Sequence, residues 1–290
     1  MRRTFAMALV ALMVPVLAAA APQVTTPVPT PTPAPAQPQG LSDEELDLQT
    51  VLTEPDFTLG ALPTTLRLPK HHMAFRITHR FTYKINGNSV GEFFENGLGF
   101  DSSATIGFEL RYGIANGTQL SVHRTNSRNI QFMAQHQLQA QRVNARYSAD
   151  LLLGIEGQDN FTEEHSIVAG GVISHQFDEQ GAIYLHPFGV FNATPEEPDS
   201  DRKTLVVGIG ARFLIFKSRS SYVVAEFAPR LAGYDGGKSL ILVGLEKRMG
   251  GHMFQLNLSN GFGTTLTQIG HGGPSVGHWH LGFNITRKFY

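Results

Sequence analysis

Arg76, Arg80 and Lys84 recur at every fourth position. On an extended strand that spacing puts all three on one face, at intervals of roughly 13 Å. A column of cations can select anionic solutes, or it can pair with carboxylates on neighbouring strands. The residues able to meet it are Glu109, Arg111, Arg212, Glu226, Arg230 and Glu246. Counting register back from the short turn at 217–220 sets Arg212 opposite Glu226, and counting from the turn near 235 brings Glu226 close to Glu246. Two readings stay open: these charges line a charge-selective lumen, or they cross-link its interior. Strand number does not separate them, since eight strands leave a barrel filled by side chains and sixteen to eighteen leave a channel.

The histidines offer a second chemistry. His278 and His280 flank Trp279, with His271 in the preceding loop and His71-His72 at the opposite end. A His-x-His on a strand projects both imidazoles the same way, as a zinc or copper chelate needs. Spacing supplies no third ligand, so the expectation is hydrogen bonding, with no metal and no cofactor. Leu258-Ser259-Asn260-Gly261 resembles the Ser-Asn-Gly of outer-membrane phospholipases, in which a base stands two residues before the serine. Here Asn257 occupies that place, and an amide cannot take the proton, so no enzyme is expected. Asn86-Gly87-Asn88, Gly250-Gly251 and Gly272-Gly273 are turn chemistry, outside any strand–loop–helix setting for a nucleotide.

These side chains need strands to hold them, and strands are what the pattern gives. Met73, Phe75, Ile77, Phe81, Tyr83 and Ile85 alternate with Arg76, Thr78, Arg80, Thr82 and Lys84, a period of two that a helix would scatter. The pattern recurs near 104–112, 118–125, 130–141, 147–156, 166–177, 182–191, 204–216, 221–231, 240–248, 253–259 and 278–289. With 72–85 that makes twelve strands. Connections after even strands are short, and the long ones (about 86–103, 157–165, 192–203 and 260–277) all follow odd strands. The expected fold is all-β: an antiparallel up-and-down transmembrane barrel of about twelve strands, with short periplasmic turns and longer extracellular loops. A secreted soluble barrel also alternates; the strand number, the polar second face and aromatics near strand ends favour lipid. Tyr112, Phe177, Phe213 and Phe289 fall near one interface; Tyr83, Phe132, Phe191 and Trp279 fall near the other.

Composition excludes several classes. The 290 residues hold no cysteine, so disulfide scaffolds, thiolate nucleophiles and Cys-metal sites are absent. A net charge of −1 argues against a nucleic-acid partner. Residues 1–20 read as a secretory signal, with Arg2 and Arg3 before an apolar stretch and Ala18-Ala19-Ala20 at its end. Residues 21–56 read as a Pro/Thr-rich disordered periplasmic extension with a short acidic segment, able to meet a periplasmic partner through 22–56. The barrel unit is expected over 57–290.

Phe75-Arg-Ile-Thr-His-Arg-Phe81, Phe93-Phe94 with Gly99-Phe100-Asp101, Gly107 to Ile114, and the ending Leu281 to Phe289 together resemble a bacterial β-barrel family, domain of unknown function 5777. The resemblance spans most of 70–290. It implies an outer-membrane barrel and assigns no reaction or ligand. Phe289 is in phase with Phe283 and Ile285, as a C-terminal strand recognised by barrel-assembly machinery would be, although Tyr290 follows it. The functional expectation is a porin-like passive channel for small, anionic solutes, embedded in outer-membrane lipid. The alternative is a non-conducting scaffold for a periplasmic or surface partner.

Overall fold

A period of two along the chain becomes a sheet with two unlike faces. The computed structural model describes residues 54–289 apart from 86–88, 96–101, 143, 178–179, 193–201, 218–219, 234–238 and 273–277. The expected signal (1–20), residues 21–53 of the expected extension, and Tyr290 lie outside the described residues. The strands are β1 (Met73–Phe81), β2 (Ala104–Ala115), β3 (Thr118–Thr125), β4 (Ile130–Gln139), β5 (Ser148–Gln158), β6 (Glu163–Phe177) and β7 (Gly181–Phe191). They continue as β8 (Lys203–Phe216), β9 (Ser221–Ala228), β10 (Arg230–Gly233), β11 (Leu240–Met249), β12 (His252–Ser259) and β13 (His280–Phe289). Each pairs antiparallel with its neighbour, β1 pairs with β13, and the β8–β9 and β9–β11 ladders complete the ring. β9 and β10 are one wall strand interrupted at Pro229, which has no N–H to give the ladder; its carbonyl still accepts from Val207. The closed wall therefore has twelve strands.

The two faces settle which side is wet. On β2, Phe108, Leu110 and Tyr112 are exposed on the outside while Glu109 and Arg111 are buried within. On β5, Leu153 is 49% exposed and its neighbour Leu152 is 0% exposed. A soluble barrel would turn its apolar face inward; this one presents apolar side chains all round, as a hydrocarbon environment requires. Tyr112, Phe177, Phe213 and Phe289 are exposed at the rim that carries the short turns, and Phe132 and Phe191 towards the other.

Among the described residues two short helices sit in long loops. Helix α1 (Val90–Glu95) begins with a reciprocal cap, Ser89 N–H donating to Glu92 and Glu92 N–H to the Ser89 hydroxyl. Helix α2 (Leu266–His271) starts at Thr265, whose hydroxyl accepts from Gln268 N–H. Its residues Leu266, Thr267, Ile269 and Gly270 are buried, so this loop folds into the barrel.

Several local expectations are corrected. β1 ends at Phe81, so Lys84 is exposed beyond the strand and does not continue the Arg76–Arg80 column. Arg212 stands opposite Val224, and Glu226 opposite Gly210 and Leu242. A bulge between Leu214 and Phe216 shifts the β8–β9 register, which turn counting cannot detect. β13 starts at His280, so His278 precedes the wall.

Candidate functional site: a filled lumen

Residues 54–72 precede the wall, and 54–65 are buried throughout. They enter at the short-turn rim, where Gln176 donates to Glu54 and the Thr65 and Ser174 hydroxyls meet at 2.6 Å. The chain then rises, reverses over Gly60-Ala61 and returns. Leu59 N–H bonds the Leu62 carbonyl (2.9 Å) and Thr64 N–H the Phe57 carbonyl (2.8 Å), making a small hairpin inside the barrel. The hairpin and the wall approach closely at Gly60, where a Cβ would strike the Leu242 side chain, and at Gly210 on the wall, where it would strike the end of the Leu59 side chain.

The wall residues expected either to line the lumen or to brace its interior hold this hairpin. Glu226 accepts the N–H groups of Gly60 (2.6 Å), Ala61 (3.0 Å) and Leu62 (2.8 Å), so three successive tip amides converge on one carboxylate. Arg76 donates to Glu109 (2.8 Å) and to the Thr58 hydroxyl (2.6 Å). Arg212 makes a two-pronged pair with Glu246 (2.7 and 2.9 Å) and donates to the Thr58 carbonyl (2.6 Å). Arg111 pairs with Glu109 and lies over the Phe57 ring, 5.2 Å from its centroid. Arg80, fully buried, donates to Asn284 (2.9 Å), whose amide in turn bonds the Gly60 carbonyl (3.0 Å). Arg67 pairs with Asp150, the His186 ring meets the Pro63 carbonyl (2.6 Å), and Thr286 donates to Asp56 (2.9 Å). Arg230 is half-buried at the start of β10, away from this set.

From the long-loop side, α2 packs into the barrel. Thr265 donates to Glu156 (2.7 Å), and Gln131 donates to the Thr267 hydroxyl (2.9 Å). Leu266 and Ile269 join Leu59 and Leu62 in one apolar cluster with Leu152, Val168, Phe188, Val206 and Leu242 of the wall. A cavity of about 30 Å³, lined by Arg76, Glu109, Arg111, His123 and Thr264, has room for ordered water only.

The histidine candidates are not brought together. His271 meets the Ser166 hydroxyl (3.1 Å), whereas His280 meets the Tyr83 carbonyl (3.0 Å). Burial lowers His271 to about 4, leaving its ring neutral. Among the described residues no group of three or more metal-ligating side chains forms. Ser259 donates to the Gly261 carbonyl (2.9 Å), and Ser166 donates to the Asn192 carbonyl (2.8 Å) beside the His271 ring. The sequence reading missed the hairpin and α2. Their available signal was a patch of large apolar residues among the inward positions, Leu152, Val168, Val172, Phe188, Val206 and Leu242, where a water-filled lumen would be polar.

Glu226→Ala would leave three buried amides without an acceptor. The expected result is a loss of about 2–3 kcal/mol. Hydrogen exchange would show it as lost protection at residues 60–62, with the wall amides unchanged.

A closed antiparallel barrel with an apolar exterior and a polar, packed interior defines a membrane β-barrel protein. The chain belongs to the family described as a membrane-bound β-barrel domain, domain of unknown function 5777, which matches residues 56–289. No curated protein matches the chain. Among solved structures it is similar to a KdgM porin (10% identity, 76% of this chain and 99% of that one, TM-score 0.48). A NanC porin gives 7% identity, 75% and 100% coverage and a TM-score of 0.48. Outer-membrane phospholipase A from Escherichia coli gives 12% identity, 76% and 92% coverage and a TM-score of 0.39.

Proposed function

We propose that the protein is an outer-membrane channel of the porin type whose own N-terminal segment holds it shut. The observation that carries this reading is the hairpin at 54–65, bonded on all sides to the charges that would otherwise face water. The wall itself is wide enough to conduct. Twelve strands spaced about 4.8 Å apart and tilted by about 40° give a backbone radius of roughly 12 Å, which leaves an aqueous path once side chains are subtracted.

The expected anion preference weakens in this account. With the hairpin withdrawn, the buried inward charges of the described wall are Arg76, Arg80, Arg111, Arg212, Arg248 and Lys288 against Glu109, Asp150, Glu156, Glu226 and Glu246. Six against five makes a lumen of mixed sign, suited to small polar solutes of either charge. Planar-bilayer recording of the intact chain beside one lacking 54–68 tests the proposal. The density of hydrogen bonds around the hairpin favours a second reading, a permanently sealed scaffold that serves a partner through 22–56. In that case the shortened chain stays silent, and deleting 22–53 abolishes partner capture.

A further inference from the structure

Among the described residues the two rims of the barrel differ in charge. On the long-loop rim exposed acids and bases mix: Glu92, Glu163 and Glu164 stand among Arg124, Arg128 and Lys203. On the short-turn rim the exposed or half-exposed charges of the described residues are Lys70, Arg142, Arg146, Lys217, Lys247 and Arg287, all basic. The acids of that rim's turns, Asp178 and Glu179, lie outside the described residues. The described acids nearest this end, Glu54, Asp56 and Asp150, are buried inside the lumen.

The outer wall above this collar is not smooth. One apolar groove of about 620 Å³ starts at Tyr147 and His175, beside Arg146, and climbs across β6 to β11 between Ile183, Ile209, Phe227 and Val243. It exists because the outward residues in its floor, Ala211 and Ala225, are small. A second, also about 620 Å³, runs between Phe216, Leu245, Phe254 and Ile285 and has Lys247 in its lining. Each groove thus joins a hydrocarbon-lined slot to a cation and an aromatic ring at the membrane interface. We infer that this collar and its grooves bind anionic phospholipid of the leaflet at the short-turn rim, with an acyl chain in each groove and the headgroup phosphate against the basic residues. Charge complementarity selects the occupant: a neutral lipid gains nothing from the basic residues described at this rim, whereas each Lys or Arg near an anionic surface attracts it. Arg146 and Tyr147 at the first groove mark where phosphate and glycerol sit.

The test is native mass spectrometry of the full chain, released from mixed vesicles of phosphatidylglycerol and phosphatidylcholine with identical acyl chains. The expected result is retention of phosphatidylglycerol over phosphatidylcholine by roughly tenfold. Arg142→Ser, Arg146→Ser and Arg287→Ser combined should bring the two lipids to parity in a barrel that still shows heat-modifiable mobility. Ala211→Trp, which fills the first groove without touching a charge, should also lower retention. Equal retention of both lipids by the unaltered chain would overturn the inference, as would variants that keep the full preference. Displacement of the lipid by millimolar inorganic phosphate would replace the lipid site with a simple anion site, which also overturns it.

Discussion

Removing residues 54–68 is expected to raise the mean current through the barrel by roughly tenfold or more, with discrete openings that the intact chain lacks. The physical reason is the small remaining space. Among the described residues, the cavity beside Arg76 and Glu109, between the hairpin tip and α2, holds about 30 Å³, room for ordered water and too little for a continuous water file. Leu266 and Ile269 of α2 share one apolar cluster with Leu59 and Leu62 of the hairpin and with the wall, so removing the hairpin takes away part of what surrounds α2. The deletion also strips acceptors and donors from Arg76, Arg212 and Glu226, which water would then satisfy. The shortened barrel should therefore fold and conduct. A folded, shortened barrel with no openings would leave only the scaffold reading.

Arg212→Ala is expected to destabilise the protein by about 3–5 kcal/mol, the usual result of stranding one partner of a buried ion pair. Arg212 and Glu246 have no exposed side-chain surface. Without the guanidinium, Glu246 keeps only the Gln255 amide (2.7 Å), and the Thr58 carbonyl loses its donor. Replacing both members by methionine should recover most of the loss, because an apolar pair of similar volume carries no desolvation penalty. Urea titration of the protein folded in vesicles measures both variants. A change below about 1 kcal/mol for Arg212→Ala would mean the site is wetter than its burial indicates.

Much of the wall was legible because a strand's period of two is local. Ala104 to Tyr112 declares its two faces without reference to any other strand, and β2, β3 and β7 lie within a few residues of their expected spans. Register was less legible, because one extra residue displaces every pairing beyond it. Bulges at Gly113/Ala115, Gln137/Gln139 and Leu214/Phe216 leave no local mark in the pattern. Hence turn counting sets Arg212 against Glu226, whereas it pairs with Glu246; all three are buried. The hairpin escaped because Phe57, Leu59 and Leu62 are too few to announce an element. Its trace lies on the wall: Val168, Val172, Val206, Val224 and Leu242 face inward among Arg212, Glu226 and Glu246, an apolar patch where a lumen open to water would be polar. The near-zero net charge also has a structural counterpart in opposed Arg and Glu inside the barrel.

The central claim is that the hairpin sits in the lumen of the membrane-embedded protein, and a cross-link tests it most directly. The chain has no cysteine, so Leu59→Cys with Gly210→Cys introduces the only two thiols. A Cβ at Gly210 falls within contact of the Leu59 side chain, a separation that a disulfide can span. Mild oxidation of the folded barrel in vesicles is predicted to form the bond nearly completely, read as a reducible shift in gel mobility and a two-proton loss in intact mass. Two thiols that stay free and react with maleimide in the folded barrel would contradict the account.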